Sequence, residues 1–140
     1  MASIHQEITT HAAPAQVWDA LADVGAIHTR LAPGFVSDTQ LSDDGSERLV
    51  TFANGMQARE LIVDVDADAR RLVWSVVGGR MTHHNASLQV FEGPGGGSRV
   101  VWIADLLPHA LKDPIAGMIA QGMAAMKRRM DDVAAETALA

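Results

Sequence analysis

PIAGMIAQGMAAMKRRMDDVAA, residues 114–135, is the stretch that decides the fold. Together with Leu111, its apolar positions Ile115, Met118, Ile119, Met123, Met126, Met130 and Val133 recur at helical spacing and make one stripe. Asp113 before Pro114 is a cap-and-first-turn pair, although a residue that precedes proline is itself pushed out of the helical region. The spacing predicts a loose turn over Pro108–Lys112 and a regular helix from Pro114 to about Ala135. Such a helix is roughly 33 Å long at 1.5 Å per residue. In a chain of 140 residues it needs a sheet to cross if its stripe is to be buried.

The residues upstream supply that sheet. From Phe35 to Leu107 the period is two, with predicted strands over Phe35–Leu41, Arg48–Ala53, Gln57–Asp66, Arg71–Val77, Thr82–Phe91 and Arg99–Leu107. Turn material separates them: Ser42-Asp43-Asp44-Gly45, Asn54-Gly55, Asp66-Ala67-Asp68-Ala69, Gly78-Gly79 and the glycine run after Gly93. Asn54-Gly55 is the strongest hairpin signal among them. Connections this short imply an antiparallel meander. Ser3–Thr10 reads as a first strand. Pro14 then opens a helix with Val17, Trp18, Leu21 and Ala22 on one face, and Asp23 can cap a second short helix, Val24–Leu31, ended by Ala32-Pro33-Gly34. The predicted architecture is α+β: one domain over residues 1–140, a curved seven-stranded antiparallel sheet gripping the long C-terminal helix, and two short helices after strand 1. Between a bent sheet and a straight helix space remains, and that space is the expected site.

Composition narrows the function. The chain carries a formal charge of −6, which disfavours non-specific binding to nucleic acid or anionic membranes. The short basic run Lys127-Arg128-Arg129 is followed by Asp131 and Asp132 and reads as a solvated helix face. There is no cysteine, so disulfides, zinc–thiolate sites and thiol catalysis are excluded. No signal peptide is visible and no run of about 18 apolar residues exists to span a membrane, so a cytoplasmic protein is expected. With three Trp, three Phe and no Tyr, an internal space would be lined by aliphatic and thioether groups.

The opening run Ala13-Pro14-Ala15-Gln16-Val17-Trp18-Asp19-Ala20-Leu21-Ala22-Asp23 resembles the start of START-like (SRPBCC) proteins, and more narrowly their polyketide cyclase/dehydrase-like branch. Phe52-Ala53-Asn54-Gly55 followed by Arg59-Glu60, then His83-His84-Asn85-Ala86-Ser87, Arg99-Val100-Val101-Trp102 and the terminal helix are similar to the layout of that branch. The resemblance covers nearly the whole chain. It implies the helix-grip fold and an apolar internal cavity, and it implies no particular activity.

Strand alternation selects the candidate site residues. His83 and His84 point to opposite faces and cannot both enter one cavity. Ala86, Leu88 and Val90 share a face with His84, so His84 is expected to point inward and His83 outward. The plainer reading of His84 is a buried neutral histidine bonded to a neighbour. The functional readings are a ligand contact or a proton-transfer group. Arg59 shares parity with Leu61, Val63 and Val65 and is expected on the inner face, as a donor to a carboxylate, enolate or phenolate; its plainer role is a rim residue. Trp74 and Trp102 alternate with apolar residues and should face the helix, as packing first and cavity lining second. Met118, Met123 and Met126 are adaptable packing groups on the helix, core first and cavity lining second; the resemblance places His28, on the short second helix, near the opening, and its plainer reading is a surface histidine.

Several motifs fail. Asp64-Val65-Asp66-Ala67-Asp68 starts like a calcium loop, but Ala69 replaces the needed glycine and Ser75 stands at the last ligand position. The Gly93–Ser98 run lies between strands, with no helix N-terminus to hold phosphate. No structural metal, cofactor or nucleophilic triad is expected. The leading function is binding of a small hydrophobic or aromatic molecule. The alternatives are a cyclase or dehydratase using His84 and Arg59, and a protein-interaction module. Oligomeric state stays open, a homodimer included.

Overall fold

The computed structural model describes residues 2–139. Seven strands form one sheet in the order β1-β7-β6-β5-β4-β3-β2, every pairing antiparallel. They are β1 (Ser3–Thr10), β2 (Val36–Leu41), β3 (Glu47–Phe52), β4 (Gln57–Asp66), β5 (Arg71–Val77), β6 (His83–Glu92) and β7 (Ser98–Leu107). The meander runs from β2 to β7, and β1 closes onto β7 from the far end of the chain. Helix α1 (Pro14–Ala22) follows β1, and helix α2 (Lys112–Ala138) follows β7. This is the curved-sheet, long-helix architecture of the helix-grip fold.

The Asn54-Gly55 hairpin forms as its residues dictate. Gly55 adopts a φ of 87°, in the left-handed region that glycine enters without steric cost. Asn54 Oδ1 accepts from the Met56 amide at 3.0 Å, and the Gly55 amide donates to Phe52 O at 2.9 Å. Helix α1 begins with Pro14 in its first turn, where the missing N–H costs nothing. The predicted helix over Val24–Leu31 is shorter: only Ile27–Leu31 is helical, as one wide turn whose closing bond runs from the Ala32 amide to Ile27 O at 2.8 Å. Asp23 ends α1 instead of capping a second helix. Gly25 explains the break. A Cβ there would sit 3.3 Å from Leu41 Cβ, so the chain passes flat against β2.

Helix α2 is 27 residues long, roughly 40 Å at 1.5 Å per residue. It starts two residues before Pro114 and runs three past Ala135. The helix is tied along β1. Gln6 Nε2 donates to Ala116 O at 2.9 Å, Thr10 Oγ1 donates to Asp131 at 2.6 Å, and Lys127 Nζ donates to Thr9 O at 2.6 Å. Its buried face consists of Ile119, Gly122, Met123, Ala125, Met126 and Met130. These meet Val17 and Leu21 of α1 and Leu72, Leu88, Val90 and Val100 of the sheet in one core. Gly122 is a close approach: a Cβ there would lie 3.0 Å from the Phe35 ring and 3.2 Å from the Trp102 ring. Mid-helix glycine costs about 1 kcal/mol against alanine, and here it lets two rings pack against the helix backbone.

Among the described residues no helix is long and apolar enough to cross a membrane. Met123 is 2% exposed, so Met123→Asp would bury an unpaired carboxylate against the core. This variant should show no cooperative thermal transition by circular dichroism. A wild-type melting curve would mean that Met123 does not face the core.

Candidate functional site

A cavity of about 440 Å³ lies between the sheet and the N-terminal half of α2. That is within the range of small-molecule sites. The floor is apolar, with Leu88, Trp74 and Trp102 from the sheet and Ile119 and Met126 from the helix. Its mouth is framed by the β3–β4 hairpin (Asn54, Met56), the β5–β6 loop (Gly78 to Met81) and the start of α2 (Leu111, Ile115, Met118).

One row of the inner wall is polar. Arg48 of β3 sits directly opposite Glu60 of β4, and Glu60 sits opposite Val76 of β5. His84 of β6, opposite Leu106 of β7, lies at the next step of the β5–β6 register, and its carbonyl accepts from Ser75 Oγ. Arg48, Glu60, Val76 and His84 all line the cavity. The row beside it, Ile62, Trp74, Ala86 and Ala104, is apolar.

The Arg48–Glu60 pair is buried. Arg48 Nε donates to Glu60 Oε1 at 2.9 Å, with the two side chains 4% and 10% exposed. Arg48 Nη1 also donates to Val24 O at 3.1 Å, which ties the wall to the chain after α1. The guanidinium lies over the Trp74 ring, 5.5 Å from its centroid, and Trp74 meets Trp102 edge to face at 5.6 Å. Of the five donors of a guanidinium, these two hydrogen bonds engage two. Burial pushes the Glu60 carboxyl above its ordinary value, and Arg48 draws it part of the way back. His84 is held below its ordinary value, first by burial and then by its neighbour His83. Two buried atoms at the wall lack any partner among the described residues, Trp102 Nε1 and His84 Nδ1. A buried donor left unmade costs about 1–3 kcal/mol.

The expected residues divide. His84, Trp74, Trp102 and Met118 line the cavity, and His83 is exposed on the other face. Arg59 does not line it. Its side chain is 58% exposed on the outer surface and donates twice to Glu47, at 2.6 and 3.1 Å. The reason is a bulge. The β4–β5 register shifts between Ile62 and Asp64, so the apolar residues on either side of it do not share a face. Ala58, Glu60 and Ile62 form the inner set, while Val63 is 57% exposed. Met123 is core, one position round the helix from Gly122, which lines the space. His28 lies off the cavity: Ile27 and Leu31 of its turn face inward, and His28 keeps a buried, unpartnered Nδ1. Arg48 and Glu60 are the residues that the strand patterns passed over. Among the described residues no three His, Cys, Asp or Glu side chains gather as a metal site would require.

The charge pair makes a pH-dependent prediction. Removing one partner of a buried pair typically costs about 3–5 kcal/mol. A carboxyl whose folded pKa is raised stabilises the fold below its unfolded value and loses that share as pH rises through the folded value. Without Arg48 the Glu60 carboxyl moves further up. Arg48→Ala should therefore be destabilised in urea titrations, with a deficit against wild type that widens from pH 5 to pH 8. A constant deficit would mean that Glu60 is not the group left unpaired.

A family model described as "Polyketide cyclase / dehydrase and lipid transport" matches residues 1–138. No curated protein matches the chain. Among solved structures, an uncharacterized protein from Bacillus thuringiensis is similar at TM-score 0.83 and 18% identity, over 92% of this chain and 98% of that one. A solution structure from Thermobifida fusca is similar at TM-score 0.74 and 26% identity, over 94% and 91%. Norcoclaurine synthase from Thalictrum flavum is similar at TM-score 0.72 and 19% identity, over 96% and 86%.

Proposed function

The chain belongs to the polyketide cyclase / dehydrase and lipid transport family, and from that premise we propose that it binds a small molecule in the cavity between the sheet and α2. The guest has an apolar or aromatic body and oxygen acceptors. The observation that carries this reading is a cavity of about 440 Å³ whose mostly apolar wall holds one buried Arg48–Glu60 pair. The guanidinium is a donor only, and it has donors left for a ligand oxygen beyond those given to Glu60 and Val24. The edge-to-face pair of Trp74 and Trp102 offers a flat guest a ring to lie against.

Catalysis on such a molecule is a second reading, favoured by one arrangement. Glu60, Arg48 and His84 share one row of the cavity wall, which puts an acid/base group and a guanidinium on the same surface. Arg59 has no part in it. Incubation with an aromatic β-keto compound, followed by mass spectrometry for loss of water, separates the two readings. Turnover by wild type that is lost in Glu60→Gln and His84→Ala supports the enzyme.

Binding itself is tested by tryptophan fluorescence with naphthalene derivatives and by native mass spectrometry of the purified chain. Val76→Phe puts a ring into the middle of the wall. It should weaken naphthalene binding by at least about tenfold, the scale of 1.4 kcal/mol, while the protein still melts cooperatively. Unchanged affinity in a folded Val76→Phe protein would move the binding site elsewhere.

A further inference from the structure

We propose that the cavity, taken as the binding site, accepts a carboxylate by exchange: the ligand's anionic oxygen replaces Glu60 as the partner of Arg48, and Glu60 takes up a proton from solvent. The inference begins with charge. Arg48 and Glu60 together are neutral and almost fully enclosed. Arg48 is the buried cation of the lining; Arg80 also lines the cavity but stands exposed at the mouth. The guanidinium has donors beyond those given to Glu60 and Val24. It is held in place by the Glu60 and Val24 bonds and by the Trp74 ring, 5.5 Å from its centroid.

A ligand carboxylate beside Arg48 would leave one excess negative charge in an apolar wall, a costly arrangement. Glu60 cannot relieve it by turning to water. The residue is 7% exposed, within a central strand, with Val76 on the neighbouring strand and cavity on its open side. Protonation is the remaining route. The groups around Glu60 allow it. From β3 it meets Arg48, and from β5 it faces Val76, which does not titrate. Leu111 and the α2 residues that line the space, Pro114, Ile115, Met118, Ile119, Gly122 and Met126, carry no ionisable group. His84 of β6, half-buried, is the other titratable side chain of the inner wall. Burial already pushes the Glu60 carboxyl upward, which shortens the step to the protonated form.

The test uses naphthalene-2-carboxylate and its methyl ester, which share a body and differ in charge. Calorimetry at pH 7 in two buffers of different ionisation enthalpy counts the protons exchanged. Wild type should take up about one proton per carboxylate bound and none per ester, and carboxylate affinity should fall toward tenfold per pH unit above the folded Glu60 value. Glu60→Gln should bind the carboxylate at least tenfold tighter at pH 8, without proton uptake, and His84→Gln should keep the uptake. Isotope-edited infrared spectroscopy of wild type with a carboxyl-labelled ligand should show a protonated carboxyl that is the protein's, so the test does not depend on a variant folding. Equal binding of acid and ester without proton uptake would overturn the exchange and leave the cavity as a neutral binding site. Uptake that persists in Glu60→Gln, or that vanishes in His84→Gln, would place the proton on the ligand or the histidine and would also overturn it. If neither probe binds, the cavity reading fails together with this one.

Discussion

The burial of α2 against a sheet that bends is the constraint from which the rest of this molecule follows. The helix is long and unbroken from Lys112 to Ala138, and it is tied along β1 by Gln6, Thr10 and Lys127. Its C-terminal half, with Met126 and Met130 almost fully enclosed, closes the core against α1 and the lower sheet. Toward its N-terminus the fit loosens: Ile115 and Met118 are only half buried and border open space. Sheets of this kind bend at bulges, and two register shifts occur, one in β2 and one in β4. A helix and a bent surface meet closely along only part of their length. The cavity is the remainder, at the N-terminal half of α2.

A cavity formed only by misfit would have apolar walls. This one has a buried Arg–Glu pair in a row that alternates with apolar residues. Such pairs rarely stabilise a fold better than well-packed apolar side chains of the same volume. Stability alone is therefore a weak reason for Arg48 and Glu60 to stand there. The pair does have a structural task, since Arg48 also holds Val24 O and so fastens the segment after α1 to the sheet. Arg48, with guanidinium donors beyond those given to Glu60 and Val24, lines the same cavity as Trp102 and His84. Unmade hydrogen bonds on that scale are tolerated where a ligand or water completes them.

The helix and the hairpins were legible because their signals are local. A stripe at helical spacing, Asn54-Gly55 between alternating runs, and Pro14 after a strand each carry their own geometry. The orientation of His84 was legible for the same reason: β6 alternates without interruption and pairs with β7 over its whole length. Arg59 was misplaced because Leu61, Val63 and Val65 look like one face, and a bulge is invisible to a count of two. Met123 and Gly122 differ by one helical step, and the stripe cannot say which side of it meets the sheet and which meets empty space. Arg48 and Glu60 could have been found. They are equidistant from Asn54 along the chain, so the hairpin centred there pairs them. Arg48 also shares parity with Val50 and Phe52. Two opposite charges meeting across a hairpin on its apolar face are a recognisable pattern.

Charge neutrality shapes what this cavity can hold more than volume does. Arg48 and Glu60 cancel when both are charged, and burial holds His84 below its ordinary value, toward its neutral form. A neutral guest with ketone, hydroxyl or ester oxygens fits without any change in protonation and gains whichever donors it reaches. A cationic guest has no uncompensated anion to meet, and competes with Arg48 for the one carboxylate. An anionic guest is admitted only if the wall gains a positive charge or loses a negative one. Since a guanidinium does not titrate in this range, that change falls to Glu60 or His84. Both lie within reach of a pH-dependent equilibrium, and the carboxyl is the one already in contact with the cation. On the proposed reading, the preference between neutral and anionic guests is set by two residues on adjacent strands, Arg48 and Glu60.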